Sequence, residues 1–270
     1  MDWARIMAPL SGGESDKRIL AAGASLAEAF EAELACVHCP ADVADLIPWM
    51  GDGFMGGVQA TAVDSIRSAA AEGARAARES VEASPYANKS FVSLSSPVWT
   101  ALAMESRLSD VVLFDQMAGC GKGALAEAFQ QIVADEQRPT VIVKGPLSAG
   151  GTIAIAWDGG KEASRAMRTA LPLLQRASRI IVLSSVSGPD HRIDPSRAVN
   201  FLSVRGVVAE ARMLKGSGDP APALIKEAKA AGADILVAGA FGHPRLQEFI
   251  FGGATRTFLN SDGPSLFLSH

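Results

Sequence analysis

Short apolar runs alternate with longer amphipathic stretches along the whole chain. Runs too short for a helix, bounded by turn residues, read as buried strands. They predict strands at Arg5–Pro9, Leu34–His38, Phe91–Ser95, Asp110–Phe114 and Thr140–Lys144. Helical spacing predicts a helix over Asp16–Phe30, with Ile19, Leu20, Leu26 and Phe30 on one face. Further helices are expected over the Ala-rich stretch Ala60–Val81, over Val98–Leu108 and over Ala124–Val133.

From Thr152 the pattern restarts. IAIAWDGGKEASRAM aligns without gaps on IMAPLSGGESDKRIL, so Gly159-Gly160 fall on Gly12-Gly13 and Arg165 on Arg18. SDVVLFD and RPTVIVK recur as ADILVAG and GPSLFLS. The chain therefore reads as two diverged copies of one unit, residues 1–147 and 150–270, joined near Pro146–Gly151. The second copy lacks an equivalent of Pro40–Val58 and has a shorter second helix. Strands alternating with helices predict, in each copy, a parallel sheet covered on both faces.

Composition narrows the classes of function. The 270 residues hold 25 basic and 29 acidic side chains, a net charge of −4, and no dense basic block, which argues against nucleic acid as a partner. No apolar run is long enough for a membrane helix, and the N-terminus lacks the pattern of a signal peptide. Three cysteines without a secretion signal suggest a reducing cytoplasm and no disulfide framework.

The richest stretch for chemistry is Ala233–Ser269. A buried strand at Ile235–Ala238 leads to Gly239, Gly242, Gly252 and Gly253; a helix over Ala254–Asn260 and a strand over Ser265–Leu268 follow. Glycine after a strand lets a ligand approach the backbone, and a helix start attracts anions through its free N–H groups. Two such clusters could cradle a phosphate chain; the same glycines could equally serve only as tight connections.

The pattern Gly-x2-Gly-x9-Gly between an Asp-Ile-Leu-Val strand and a Pro-x-Leu-Phe-Leu strand closely resembles the universal stress protein A family. The likeness covers nearly the whole chain and is sharper in the second half. Where the family's ATP-binding members carry Ser or Thr after the last glycine of the pattern, this chain has Gly253, which loses a hydroxyl but keeps the backbone donors. The resemblance implies an α/β fold of two tandem domains. Each would be a five-stranded parallel sheet in the order 3-2-1-4-5, and the two would pack as a pseudo-dimer through their last strands. It also implies ATP as ligand, with magnesium, and a nucleotide-responsive stress or signalling role rather than dedicated catalysis. Slow ATP turnover is compatible with that role. The family's base-and-sugar contact carries over to Asp158, its strand-two backbone contact to Ser185 beside Val186, and its phosphate contacts to Gly239, Gly242, Gly252 and Gly253. Asp158 could instead be a helix-capping residue.

In the first half Ser11 stands in place of that Asp, and Asp115 and Ala118 in place of Gly239 and Gly242. Acids facing a phosphate pocket would repel it, so the first half is expected to be a structural partner without a nucleotide site. Two other readings are open. One is a scaffold of the same fold that binds no nucleotide and recruits a protein through Trp49–Met55. The other is an adenylating enzyme using Ser11–Asp16, whose SGGESD nearly matches the loop of ATP pyrophosphatases. Gly121–Ala126 is a weak dinucleotide-type motif, Cys36 and Cys39 read as buried thiols, and His243 as a solvated loop histidine. Whether two tandem chains pair further is left open by the sequence.

Overall fold

A computed structural model describes residues 2–40, 56–94, 97–186, 194–215, 218–240 and 253–270. Trp49–Met55, Gly242, His243 and Gly252, all singled out above, lie outside these residues.

The strands of the first half are β1 (Arg5–Leu10), β2 (Glu33–His38), β3 (Lys89–Ser93), β4 (Val111–Asp115) and β5 (Thr140–Val143). Those of the second are β6 (Thr152–Ala156), β7 (Arg179–Val186), β8 (Glu210–Lys215), β9 (Ile235–Gly239) and β10 (Ser265–Ser269). They form one sheet in the order β3-β2-β1-β4-β5-β10-β9-β6-β7-β8. Each half is parallel in the expected order 3-2-1-4-5. The halves meet where β5 and β10 pair antiparallel, with Leu266 opposite Ile142, Phe267 opposite Val141 and Leu268 opposite Thr140.

Both faces of the central strands are buried, which is why these strands are continuous apolar runs. Alternate residues serve two cores. Ile6, Ala8, Leu10, Ile153, Ile155, Val237 and Phe267 face one core, and Met7, Ala154, Leu236, Ala238, Leu266 and Leu268 face the other. The first core is closed by α1 (Ser15–Phe30), α2 (Gly56–Ala83), α6 (Lys161–Thr169), α7 (Leu171–Leu174) and α8 (Pro195–Ser203). The second is closed by α3 (Val98–Ser106), α4 (Gln116–Gly119), α5 (Ala126–Ala134), α9 (Ala221–Ala230) and α10 (Gly253–Asn260). Each core contains residues of both halves, so burial is continuous across the junction. Only the edge strands β3 and β8 show mixed, partly exposed patterns, as expected of sheet edges carrying charge.

The structure differs from the sequence reading at a few ends. β3 starts at Lys89 rather than Phe91, because Lys89 and Ser90 already pair with Leu34 and Ala35. The helix expected from Ala124 starts at Ala126, and the short α4 precedes it, capped by the Asp115 carboxylate accepting from Ala118 N at 2.8 Å. No described helix is long and apolar enough to cross a membrane.

Side chains of the first half hold the second. Trp3 lies 4.6 Å from Phe30 and stacks at 6.1 Å on Phe267. Lys144 Nζ donates to the carbonyls of Phe258 and Ser261 at 2.6 and 2.9 Å, and Gln116 Nε2 donates to those of Leu259 and Ser261. Both satisfy carbonyls that the C-terminus of α10 would otherwise leave without partners. Burial pulls the Lys144 ammonium down to about 8, although the charges of Cys120 and Asp262 oppose the shift.

Phe267 is fully buried at the junction. Phe267→Ala should cost about 3–5 kcal/mol, read from urea unfolding. Val208→Ala, at a position 89% exposed, should stay within about 0.5 kcal/mol.

Candidate functional site

In the second half, β6 and β9 are neighbours where the winding reverses. Crevices at the carboxyl ends of strands at such a point are where ligands bind in doubly wound folds. A cleft of about 380 Å³ opens there, at the small end of the range for small-molecule sites. Ala156, Ser185 and Gly239 bring the ends of β6, β7 and β9 to it. The N-terminal ends of α6, α9 and α10 converge on it through Gly160, Pro220 and Gly253.

Among the residues named from sequence, the cleft brings together Asp158, Ser185, Gly239 and Gly253. Their roles differ in detail from the expectation. Asp158 is exposed at the rim, and its Oδ1 accepts from Gly160 N at 2.8 Å. The bond closes a turn in which Gly159 has φ of 74°, a conformation that favours glycine. Gly239 is small for packing reasons: a Cβ there would lie 2.6 Å from the carbonyl carbon and Cβ of Glu162. The close approach is thus to the start of α6 in the first place, rather than to a ligand. Gly253 is the opposite case, with nothing among the described residues within 4 Å of a Cβ. No acid stands in the first turn of α10 itself; the Asp219 carboxylate accepts from Thr257 Oγ1 at 3.4 Å, one turn further on.

The lining residues not singled out as site candidates from sequence include Trp157, Glu162 and Thr255, which bring polar atoms to the cleft. Glu162 is the most unusual. It falls on the face of α6 that buries Ala163, Ala166 and Met167 and is itself only 9% exposed. An acid in that helical spacing was the available signal. Four buried side-chain polar atoms among the described residues lack a hydrogen-bond partner, and three belong to this cleft: Trp157 Nε1, Glu162 Oε1 and Ser185 Oγ. Glu162 Oε1 does lie 3.4 Å from Lys161 Nζ, but that ammonium belongs to a side chain 74% exposed and is worth little. Buried polar groups are normally paired, so three orphans around one cleft point to a missing partner there.

The matching crevice of the first half is filled from within. Asp16, buried at the start of α1, accepts from Ser11 N, Ser11 Oγ and Gly12 N. These are the donors that a pyrophosphatase-type loop would turn toward phosphate. Helix α2 lies across them: a Cβ on Gly12 would come within 2.6 Å of Gly73 Cα. Behind it the buried His38 shares a hydrogen bond with Ser93 Oγ at 3.1 Å. Cys36 is also buried, which pushes its thiol up to about 12, far from the range of reactive cysteines. Among the described residues no cluster of three or more His, Cys, Asp or Glu could hold a metal ion.

Two outcomes check this geometry. Gly239→Ala should destabilise by about 1–3 kcal/mol through overlap with α6, while Gly253→Ala should change stability by no more than about 0.5 kcal/mol; urea unfolding separates them. Burial also holds the His38 imidazole below its ordinary value, against a weaker upward pull from Asp16. The unfolded chain then takes up a proton near pH 6.5 that the folded chain refuses, so stability should fall as pH drops below about 6.5. His38→Gln should flatten that part of the urea-midpoint profile.

Residues 196–261 match the model of the universal stress protein family. No curated protein matches the chain by sequence. Among solved structures, a universal stress protein from Archaeoglobus fulgidus DSM 4304 superposes with a TM-score of 0.72 at 14% identity, over 98% of this chain and 95% of that one. A protein from Pseudomonas aeruginosa UCBPP-PA14, provisionally assigned to the same family, does so with a TM-score of 0.58 at 12% identity, over 99% and 93%. At these identities the likeness is one of fold. Residues 196–261 are thus similar in sequence to the universal stress protein family, and the chain carries the tandem two-domain fold from end to end.

Proposed function

We propose that the protein is a nucleotide-binding stress-response or signalling protein of the cytoplasm, with one ATP-type site in its second half. The observation that carries the reading is the cleft at the β6–β9 switch point, where three helix N-termini converge and three buried polar atoms lack hydrogen-bond partners among the described residues. Helix N-termini favour anions, and Gly253 leaves the start of α10 open to one. In this reading Gly253 offers backbone donors to phosphate, Asp158 and Ser185 lie toward the base and sugar, and magnesium arrives on the phosphates. Gly242 and Gly252 complete the phosphate contacts by the family pattern. The first half acts as a buttress, since its own crevice is closed by Asp16 and α2. In this reading the protein is not a dedicated catalyst.

One observation favours the rival reading of a scaffold that binds no nucleotide: the Glu162 carboxylate lines the same cleft and would repel a phosphate placed beside it.

Thermal unfolding with and without millimolar Mg-ATP, on nucleotide-free protein and on Asp158→Ala, decides between them. A ligand at a hundred times its Kd adds about 2.7 kcal/mol, a shift of several degrees. The expected result is a shift in the native protein that shrinks in the variant. No shift with ATP, ADP or AMP would support the scaffold.

A further inference from the structure

The cleft is not uniformly suited to phosphate. The first turn of α6 contains its own acid, Glu162, so the positive end of that helix is already offset by a buried carboxylate. The first turn of α10 contains none. The two ends of the cleft therefore differ: the α6 end carries a buried acid in its own first turn, while at α10 Asp219 reaches only Thr257 Oγ1, one turn in, at 3.4 Å and caps α9 through Ala221 N, so the α10 end disfavours an anion less.

The atoms without a hydrogen-bond partner, Glu162 Oε1 having only the exposed Lys161 ammonium at 3.4 Å, say what the α6 end would accept. A carboxylate can only receive hydrogen bonds, an indole N–H can only donate one, and a serine hydroxyl does both. A phosphate oxygen could serve Trp157 Nε1 and Ser185 Oγ but not Glu162. An ammonium could serve Glu162 and Ser185 but not Trp157. A hydroxyl group both donates and accepts, and neighbouring hydroxyls on one ligand can satisfy all three.

Resting on the nucleotide reading above, we propose that Glu162, with Ser185 and Trp157, forms a polyol subsite that takes the sugar hydroxyls of the ligand and excludes phosphate from the α6 end. Glu162 is then the residue that selects a ribonucleotide over its dideoxy analogue, and the phosphates are directed to the start of α10. A site built to receive a hydroxyl rejects the ligand that lacks it, because its own polar group is left buried and unpaired.

Isothermal titration with Mg-ATP and with magnesium 2′,3′-dideoxy-ATP tests this on the native protein, Glu162→Gln and Glu162→Ala. A lost hydrogen bond to a charged group should weaken dideoxy-ATP at least about tenfold in the native protein. Glu162→Gln keeps the shape of the side chain and should narrow that ratio to about threefold, since only the charge assistance is lost. Glu162→Ala should narrow the ratio further, the rest being held by Ser185 and Trp157, with ATP still bound. Equal binding of the two nucleotides by the native protein, or an unchanged ratio in both variants, overturns the subsite and leaves the nucleotide reading standing. Failure of native protein to bind either nucleotide overturns that reading and the subsite with it.

Discussion

Everything in this molecule hangs on the antiparallel pairing of β5 with β10. Each of these strands would otherwise be the edge of a five-stranded sheet, with a row of unpaired backbone donors and acceptors. Pairing them removes two edges at once and lets two cores run unbroken under ten strands. The junction reaches the cleft through α10. Lys144 follows β5 and Gln116 follows β4, and both are anchored on the carbonyls at the C-terminus of that helix. The helix that offers its N-terminus to the cleft is thus held at its other end by the first half. That gives a half without an open crevice a physical task, because a helix end that must meet a ligand has to be fixed before the ligand arrives.

How much of this was legible in the sequence depends on whether a signal was local. The strands were, because burial on both faces writes them as unbroken apolar runs between turn residues. So was the repeat, whereas the strand order was expected from the family resemblance and not from any local pattern. The short α4 was not, since a one-turn helix capped by Asp115 has no period to detect. At the site, Asp158, Ser185 and Gly253 were named from the family resemblance, and the fold brings all three to one cleft. Gly239 was found for a reason that proved incomplete: its spacing marks a close approach, but only the packing of α6 tells which backbone approaches. Glu162 and Trp157 were passed over because neither belongs to a glycine pattern, and what sets them apart is a lack of partners, a tertiary property.

The two crevices differ for reasons of length as well as charge. Helix α2 has 28 residues and α8 has nine, so at 1.5 Å per residue α2 is about 28 Å longer. The extra turns carry α2 past the ends of β1 and β2, where Gly73 seats on Gly12. Substituting a smaller side chain at Ser11 or Asp115 would not reopen such a crevice, since the obstruction is backbone.

The loop after the first strand of each half shows how small a change separates a closed crevice from an open one. In the gapless repeat, Ser11 aligns with Asp158, Ser15 with Glu162, and Asp16 with Ala163. The acid of the helical turn has moved by one residue, about 100° around the helix. At position 16 it folds back on Ser11 and Gly12 and consumes the loop's own donors. At position 162 it lines the cleft, and the task of tying the loop passes to Asp158 through Gly160. One carboxylate per half is committed to the turn; the second half has one more, buried and without a hydrogen-bond partner for Oε1. A buried carboxylate so placed costs stability unless it is well paired; its place in the first turn of α6 and the exposed Lys161 ammonium 3.4 Å away offset only part of that cost. The rest has its natural source in a ligand with hydroxyls to give.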